Sequence, residues 1–197
     1  MKVLLTGSSK GIGYKIANDL LAEGHELALH YNKNESPLSA LLKKDKTGSF
    51  SIQADLSQQE EIKKMVENTI GKLSFPDCII NNAGIAESAD ISLDINDWSK
   101  MFDKTIDVNL KAPSLIFKEF LRYKREKKIN SRLRIINIAS RAAFRGEQQD
   151  YISYACSKGG IISLTKTMSR SFGETDSIVA ISIAPGFVRT EMAQSFI

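Results

Sequence analysis

The chain has 197 residues, 42% hydrophobic and 25% charged, a balance that excludes intrinsic disorder and collagen-like repeats. The net charge of +4 is mild, and no arginine stripe interleaved with aromatics suggests a nucleic-acid partner. No apolar run approaches the roughly 18 residues that span a bilayer, and the apolar start is too short for a signal peptide, so a cytoplasmic protein with no membrane partner is expected.

Val3 to Thr6 reads as a short strand running into a glycine-rich turn. Ile12, Ile16 and Leu20 recur at i+4, so a helix follows, and Gly24 stands where a helix C′ glycine belongs. Glu26 to Tyr31 is a second strand, and Pro37 with Leu38, Leu41 and Leu42 marks a short helix. Phe50, Ile52 and Ala54 alternate with polar residues as in an edge strand. Ser57-Gln58-Gln59-Glu60 reads as a capping box for a helix bearing Ile62, Met65, Val66 and Ile70, closed by Gly71. Cys78 to Ile80 is a buried strand, and a long helical region spans about Asp97 to Lys127. Ile135 to Ala139 is a strand, Ser153 to Phe172 a helix and Ile178 to Ala184 a sixth strand. This alternation predicts an α/β fold, a Rossmann-type doubly wound parallel sheet with helices on both faces. Residues 1–197 read as a single domain. The basic cluster Arg122, Lys124, Arg125, Lys127 and Lys128 suits the negative dipole end of a helix. Cys78 and Cys156 are expected to be small buried hydrophobes, and no metal site is expected beside His25 and His30.

Thr6-Gly7-Ser8-Ser9-Lys10-Gly11-Ile12-Gly13 lies between a strand and a helix, the context of a dinucleotide-binding turn. Gly7 permits the tight turn, Gly11 lets backbone approach a pyrophosphate, and Gly13 lets helix pack on strand; a plain structural turn is the alternative. Tyr154-Ala155-Cys156-Ser157-Lys158 puts a phenol and an ammonium on one helix face. A neighbouring Lys⁺ would lower the phenol pKa and make it a proton donor to a carbonyl oxygen.

Together these motifs resemble the short-chain dehydrogenase/reductase family, of the single-domain kind that includes 3-oxoacyl-carrier-protein reductases. The likeness runs in family order from the glycine turn through Asn81-Asn82-Ala83-Gly84, Asp107-Val108-Asn109-Leu110 and Ile136-Asn137-Ile138-Ala139-Ser140. It continues through Tyr154-x-x-x-Lys158 to Pro185-Gly186 with Val188-Arg189-Thr190. The resemblance implies Tyr154 as general acid in reduction and base in oxidation, with Lys158 tuning it and holding the nicotinamide ribose. Ser140 would bond the substrate oxygen, and Asn109 would interrupt its helix and hold a proton-relaying water, a satisfied buried asparagine being the alternative. Gly7, Ser9, Lys10, Gly11, Ile12, Gly13, Asn32, Asp55, Leu56, Asn82, Ala83, Gly84, Pro185, Gly186, Val188 and Thr190 would contact the cofactor. Asp55 would meet the adenine, a turn-forming aspartate being the alternative.

The second strand ends His30-Tyr31-Asn32-Lys33, without the acid that binds a ribose 2′-hydroxyl in NAD enzymes, while Lys10 and Lys33 can meet a 2′-phosphate. NADP(H) is therefore expected over NAD(H). The substrate implied is a small-molecule carbonyl or alcohol, free or bound to an acyl carrier. A catalytically idle dinucleotide-binding sensor or assembly subunit is the alternative. Family members continue through a substrate-covering helix and a seventh strand; this chain ends at Gln194-Ser195-Phe196-Ile197, so its C-terminal part reads as incomplete. Leu110, Leu115, Ile116, Phe117, Phe120 and Leu121, with Ile161, Ile162 and Leu164, spread beyond one helix stripe. That surplus predicts a homodimer, or a homotetramer with a full tail.

Overall fold

The computed structural model describes residues 1–190. The apolar end at residues 194–197 lies outside the described residues. Strands β1 (Lys2–Leu5), β2 (Glu26–Tyr31), β3 (Phe50–Gln53), β4 (Cys78–Asn81), β5 (Leu133–Ile138) and β6 (Ile178–Ile183) form one parallel sheet, ordered β3-β2-β1-β4-β5-β6. The predicted doubly wound architecture is correct. Strand order reverses between β1 and β4, opening a crevice at the C-terminal strand ends where such sheets bind ligands.

Helices α1 (Gly11–Ala22) and α2 (Ser36–Leu42) cover one face; Ala17 and Leu38 pack among Val3, Leu5, Leu27, Leu29 and Ile80. Helices α3 (Gln59–Leu73), α5 (Ala112–Glu126) and α7 (Ile152–Asp176) cover the other, with Ile62, Met65, Phe120 and Met168 against Leu4, Ala28, Ile79 and Ile135. Alternate residues along each strand thus feed opposite layers, as burial on both faces demands. The remaining helices are α4 (Ile95–Ile106) and the short α6 (Ala142–Arg145).

Several helix ends differ from the sequence reading. Gly24 is the expected C′ glycine, at φ +78°, with Gly24 N donating to Leu21 O and His25 N to Leu20 O. Ser57 is no cap: its amide and hydroxyl both donate to Asp55 Oδ1, and α3 begins at Gln59 without a side-chain cap. The Asx turn at Asp55 takes the serine first. Nor does Gly71 close α3, which runs on to Leu73 before Ser74 turns at φ +64°. A Cβ at Gly71 would meet nothing within 4 Å. Gly71→Ala should therefore stabilise the protein by about 1 kcal/mol, since glycine is the poorer helix former, raising Tm by roughly 2–4 °C in a thermal melt.

The apolar surplus of α5 is used inside the chain. Ile116, Phe117, Phe120 and Leu121 are buried, and Leu115 and Leu164 pack against the same core. Phe75 stands edge-on to Phe120, and Phe172 edge-on to Phe117. The homo-oligomer expectation loses this argument. The basic cluster serves the end of α5: Lys124 donates to Ile129 O and Ser131 O, Arg125 pairs with Asp176, and Arg122 with Glu119 and Glu126. Cys78 is buried as expected, but Cys156 is exposed. The face of α7 turned inward carries Ser153, Ser157, Ile161 and Thr165, at i+4 spacing, and position 156 is not on it.

Candidate active site

Everything at the site hangs from the C-terminal strand ends. Past β1, Thr6 is buried, and its hydroxyl accepts from Asn82 N and Ala83 N at 3.0 Å each. Asn82 Nδ2 returns donations to Thr6 O (3.0 Å) and Gly7 O (2.9 Å). Gly7 turns at φ +65°, and a Cβ there would stand 2.7 Å from Ala83 Cα. The glycine turn is thus wedged against the segment after β4. Lys10 enters α1 with no side-chain cap. The first-turn N–H groups, which have no intrahelical partner, suit an anion. Beyond β6 the chain folds back: Pro185 O accepts from Arg141 N at 3.2 Å, and Thr190 Cγ2 would lie 3.3 Å from a Cβ on Gly11.

Beside the turn stand the expected catalytic groups. Ser140, at the end of β5, hydrogen-bonds the Tyr154 hydroxyl, and its Oγ accepts from Ala142 N at 3.2 Å. Lys158 is 4% exposed, donates from Nζ to Ile138 O at 2.8 Å and lies 5.7 Å from the Tyr154 ring centre. A Cβ on Gly84 would lie 3.4 Å from Lys158 Nζ and 3.3 Å from Asn109 Oδ1. Ser140, Tyr154, Lys158, Asn109 and Gly84 therefore gather at one place.

Electrostatics depart from expectation. Burial pushes the Tyr154 phenol up, the Ser140 hydrogen bond opposes the rise, and the charge of Glu147 adds to it. Lys158 is not among the groups that move the phenol, and burial brings that amine itself down to about 8. The buried phenol is thus held in its protonated form at neutral pH.

Asn109 does interrupt its helix. Asp107–Lys111 form a π turn between α4 and α5, a distortion common at functional sites. Its side chain, 1% exposed, is fully used: Oδ1 accepts from Ile85 N, and Nδ2 donates to Ile85 O and Ser157 Oγ. The satisfied-asparagine reading holds for the amide.

The comparisons with known proteins follow the same lines. The short chain dehydrogenase family model matches residues 1–197. The chain belongs to that family. It is 30% identical over 195 residues to a 3-oxoacyl-[acyl-carrier-protein] reductase of Staphylococcus epidermidis, covering 98% of this chain and 77% of the relative. A namesake from Rickettsia conorii is 35% identical over 193 residues, 96% of this chain and 73% of its own. Among solved structures, 4-hydroxyisoleucine dehydrogenase complexed with NADH matches at TM-score 0.86 and 32% identity, covering 99% of this chain and 76% of that one. An actinorhodin polyketide ketoreductase variant with NADPH matches at TM-score 0.85 and 26% identity, covering 98% and 73%.

In this short-chain dehydrogenase the outer cofactor candidates divide by what already holds them. Asp55 forms the Asx turn with Oδ1, and its amide donates to Glu61 Oε2 at 2.6 Å. Leu56 is a core side chain, packed with Ile62 and Met65, so any cofactor contact there falls to backbone. Asn32 is exposed at the end of β2, and its carbonyl accepts from Gln53 Nε2. Ile12 is half-buried and Lys10 exposed at the start of α1. Gly186 and Val188 are exposed in the segment after β6.

Ser157 was missing from the sequence-based site. Its hydroxyl donates to Tyr154 O at 2.7 Å and accepts from Asn109, locking the π turn to α7. Asn81 and Asn137 do similar work below: Asn81 Nδ2 donates to Asn137 Oδ1, and Asn137 Nδ2 to Thr165 Oγ1, both at 2.8 Å. That chain ties β4 and β5 to the helix bearing Tyr154. A helical serine and strand asparagines have no signal of their own in sequence; only their partners, far along the chain, expose them.

Proposed function

We propose that this short-chain dehydrogenase is an NADP(H)-dependent carbonyl reductase or alcohol dehydrogenase, cytoplasmic, acting on a small carbonyl or alcohol, free or acyl-carrier-bound. The observation that carries the reading is the Ser140–Tyr154 hydrogen bond, with buried Lys158 beside it and next to Gly84, the neighbour of the Ala83 that faces Gly7. The residues present fit a nicotinamide dinucleotide: the turn is glycine where a side chain would collide, and α1 begins uncapped. A reduced nicotinamide dinucleotide held by the glycine turn and the start of α1 would supply a hydride for the carbonyl carbon. Tyr154 gives its proton to the carbonyl oxygen, so the C=O π bond is replaced by one C–H and one O–H bond. Ser140 hydrogen-bonds that oxygen as charge develops on it. The named relatives that are reductases of 3-oxoacyl carriers support the acyl-carrier option. Homodimer or homotetramer formation rests on the family resemblance alone.

NADP(H) preference rests on the acid-free stretch His30-Tyr31-Asn32-Lys33 at the end of β2 and on Lys10 in the turn, the Glu35 carboxylate that returns to Tyr31 being engaged by the Ser51 hydroxyl. Direct titration should give a lower Kd for NADP⁺ than for NAD⁺. The reverse order would sink the preference, and binding of neither would sink the cofactor reading.

A further inference from the structure

His30 is 2% exposed at the C-terminal end of β2, and the proposed chemistry has no use for it. Its contacts converge on the cofactor crevice. Gly7 N donates to Nδ1 at 3.0 Å, and Nε2 meets Ala54 O at 2.9 Å. Its own carbonyl accepts from Ser8 N at 2.9 Å and Ser8 Oγ at 2.8 Å. Gly7 and Ser8 open the turn before α1, and Ala54 leads into the Asp55 turn before α3. One ring therefore joins two loops that lie on opposite sides of β2's end.

We infer that His30 is a positioning residue whose neutral ring holds these two loops in the dinucleotide-binding arrangement, and whose protonation weakens coenzyme binding. The inference rests on the dinucleotide reading above. The partners dictate the tautomer. A backbone N–H can only donate, so Nδ1 must offer its lone pair to Gly7. A carbonyl can only accept, so Nε2 must carry the hydrogen toward Ala54. A second proton could go only to Nδ1, where it would confront the Gly7 N–H with no acceptor. Burial opposes the charge, pushing the His30 pKa below its usual range against the opposing pull of the Ala54 hydrogen bond and the Asp55 carboxylate. Asp55, from the β3–α3 turn, is the charged group whose field reaches the ring; Gly7, Ser8 and Ala54 are neutral. Because burial depresses the folded pKa, the ring stays neutral and the arrangement intact through the ordinary histidine range, and the arrangement is lost only as pH falls through the lower, folded pKa.

A histidine that served stability alone would lower Tm when replaced and leave coenzyme affinity of the folded protein unchanged. The test is calorimetric titration of the whole protein with NAD⁺ from pH 8 down to the lowest pH at which the protein stays folded. NAD⁺ lacks the 2′-phosphate, whose own titration near pH ~6 would confuse the profile. Circular dichroism at each pH restricts the readout to folded protein. For the native protein, Kd should be flat at neutral pH and above, and rise on the acid side only below the ordinary histidine range, as the folded ring takes up its second proton. His30→Phe keeps a ring but leaves the Gly7 N–H without its acceptor, and its Kd at pH 8 should be roughly tenfold weaker. His30→Asn can offer Gly7 an oxygen near the Nδ1 position and does not titrate. It keeps the Gly7 link but not the Ala54 one, so at pH 8 it should bind between the native protein and His30→Phe, with the acid-side rise abolished. If His30→Phe does not fold, the native and His30→Asn profiles decide alone. A flat native profile, or an acid-side rise that survives in His30→Asn, overturns the inference while leaving the dinucleotide reading intact. No binding of NAD⁺ or NADP⁺ by the native protein at pH 8 overturns both.

Discussion

Tyr154→Phe is expected to reduce carbonyl turnover by about 10²–10⁴-fold, the usual loss when a positioned proton donor is removed. The coenzyme Kd should stay within about threefold, because the glycine turn that would hold the phosphates is built from residues the phenol does not support. The substitution removes one oxygen and keeps the ring beside Lys158. It also frees Ser140 from its hydrogen bond to Tyr154, while Ser140 keeps the Ala142 amide that orients it. Lys158→Ala should behave differently. It removes a buried amine bonded to Ile138 O and standing near Gly84 and Asn109, so both turnover and coenzyme binding should fall. NADPH oxidation against a panel of keto substrates, paired with coenzyme titrations, separates the two effects. Native-level turnover in Tyr154→Phe would remove the phenol from the mechanism. Turnover of no substrate by the native protein would favour the idle, sensor-like alternative.

The parts of this site that were legible in the sequence are those whose chemistry is local. A glycine turn between strand and helix, and a Tyr and Lys four apart on one helix, declare themselves within a few residues, and the structure brings them together. The doubly wound parallel sheet was equally legible, because alternating strands and helices leave few right-handed ways to wind. What stayed hidden depends on contacts between distant segments. His30 reads as one more residue of an apolar strand until Gly7 and Ala54 close on it. Ser157 reads as an indifferent helical serine until Asn109, 48 residues earlier, donates to it. The Ser57 cap failed through local competition, since Asp55 took its amide and hydroxyl first. Asp94 was passed over as the cap of α4, although its side chain accepts from Asn96 N and Asp97 N and starts that helix two residues before the expected Asp97. At Tyr154 the spacing reveals a neighbouring ammonium but not the burial that moves the phenol up and the amine down.

The sharpest steric demand in the structure lies at Gly13, in the first turn of α1. A Cβ there would fall 2.1 Å from Gly7 O, 2.9 Å from Gly7 C and 2.4 Å from Asn82 Nδ2. None of these is the loose end of a flexible side chain. The Gly7 carbonyl belongs to the turn itself, and the Asn82 amide is pinned by its donations to Thr6 O and Gly7 O. Gly13→Ala must therefore push α1 away from β1 or break the Asn82 clamp. Overpacking alone costs about 1–3 kcal/mol, and stranding the half-buried Asn82 amide adds up to about 3 kcal/mol more. The gain in helix propensity from Gly to Ala, about 1 kcal/mol, offsets only part of this. The net expectation is a loss of roughly 1–5 kcal/mol, lowering Tm by at least about 2 °C. Coenzyme affinity should fall with it, since the displaced parts are the first turn of α1 and the loop it faces. Gly71→Ala, the same chemical change in open space, should move Tm the opposite way. Thermal melts of the two variants side by side, with coenzyme titrations at 25 °C, provide the check. A Gly13→Ala protein with native Tm and native coenzyme Kd would mean that α1 is not packed against the turn as closely as the structure shows.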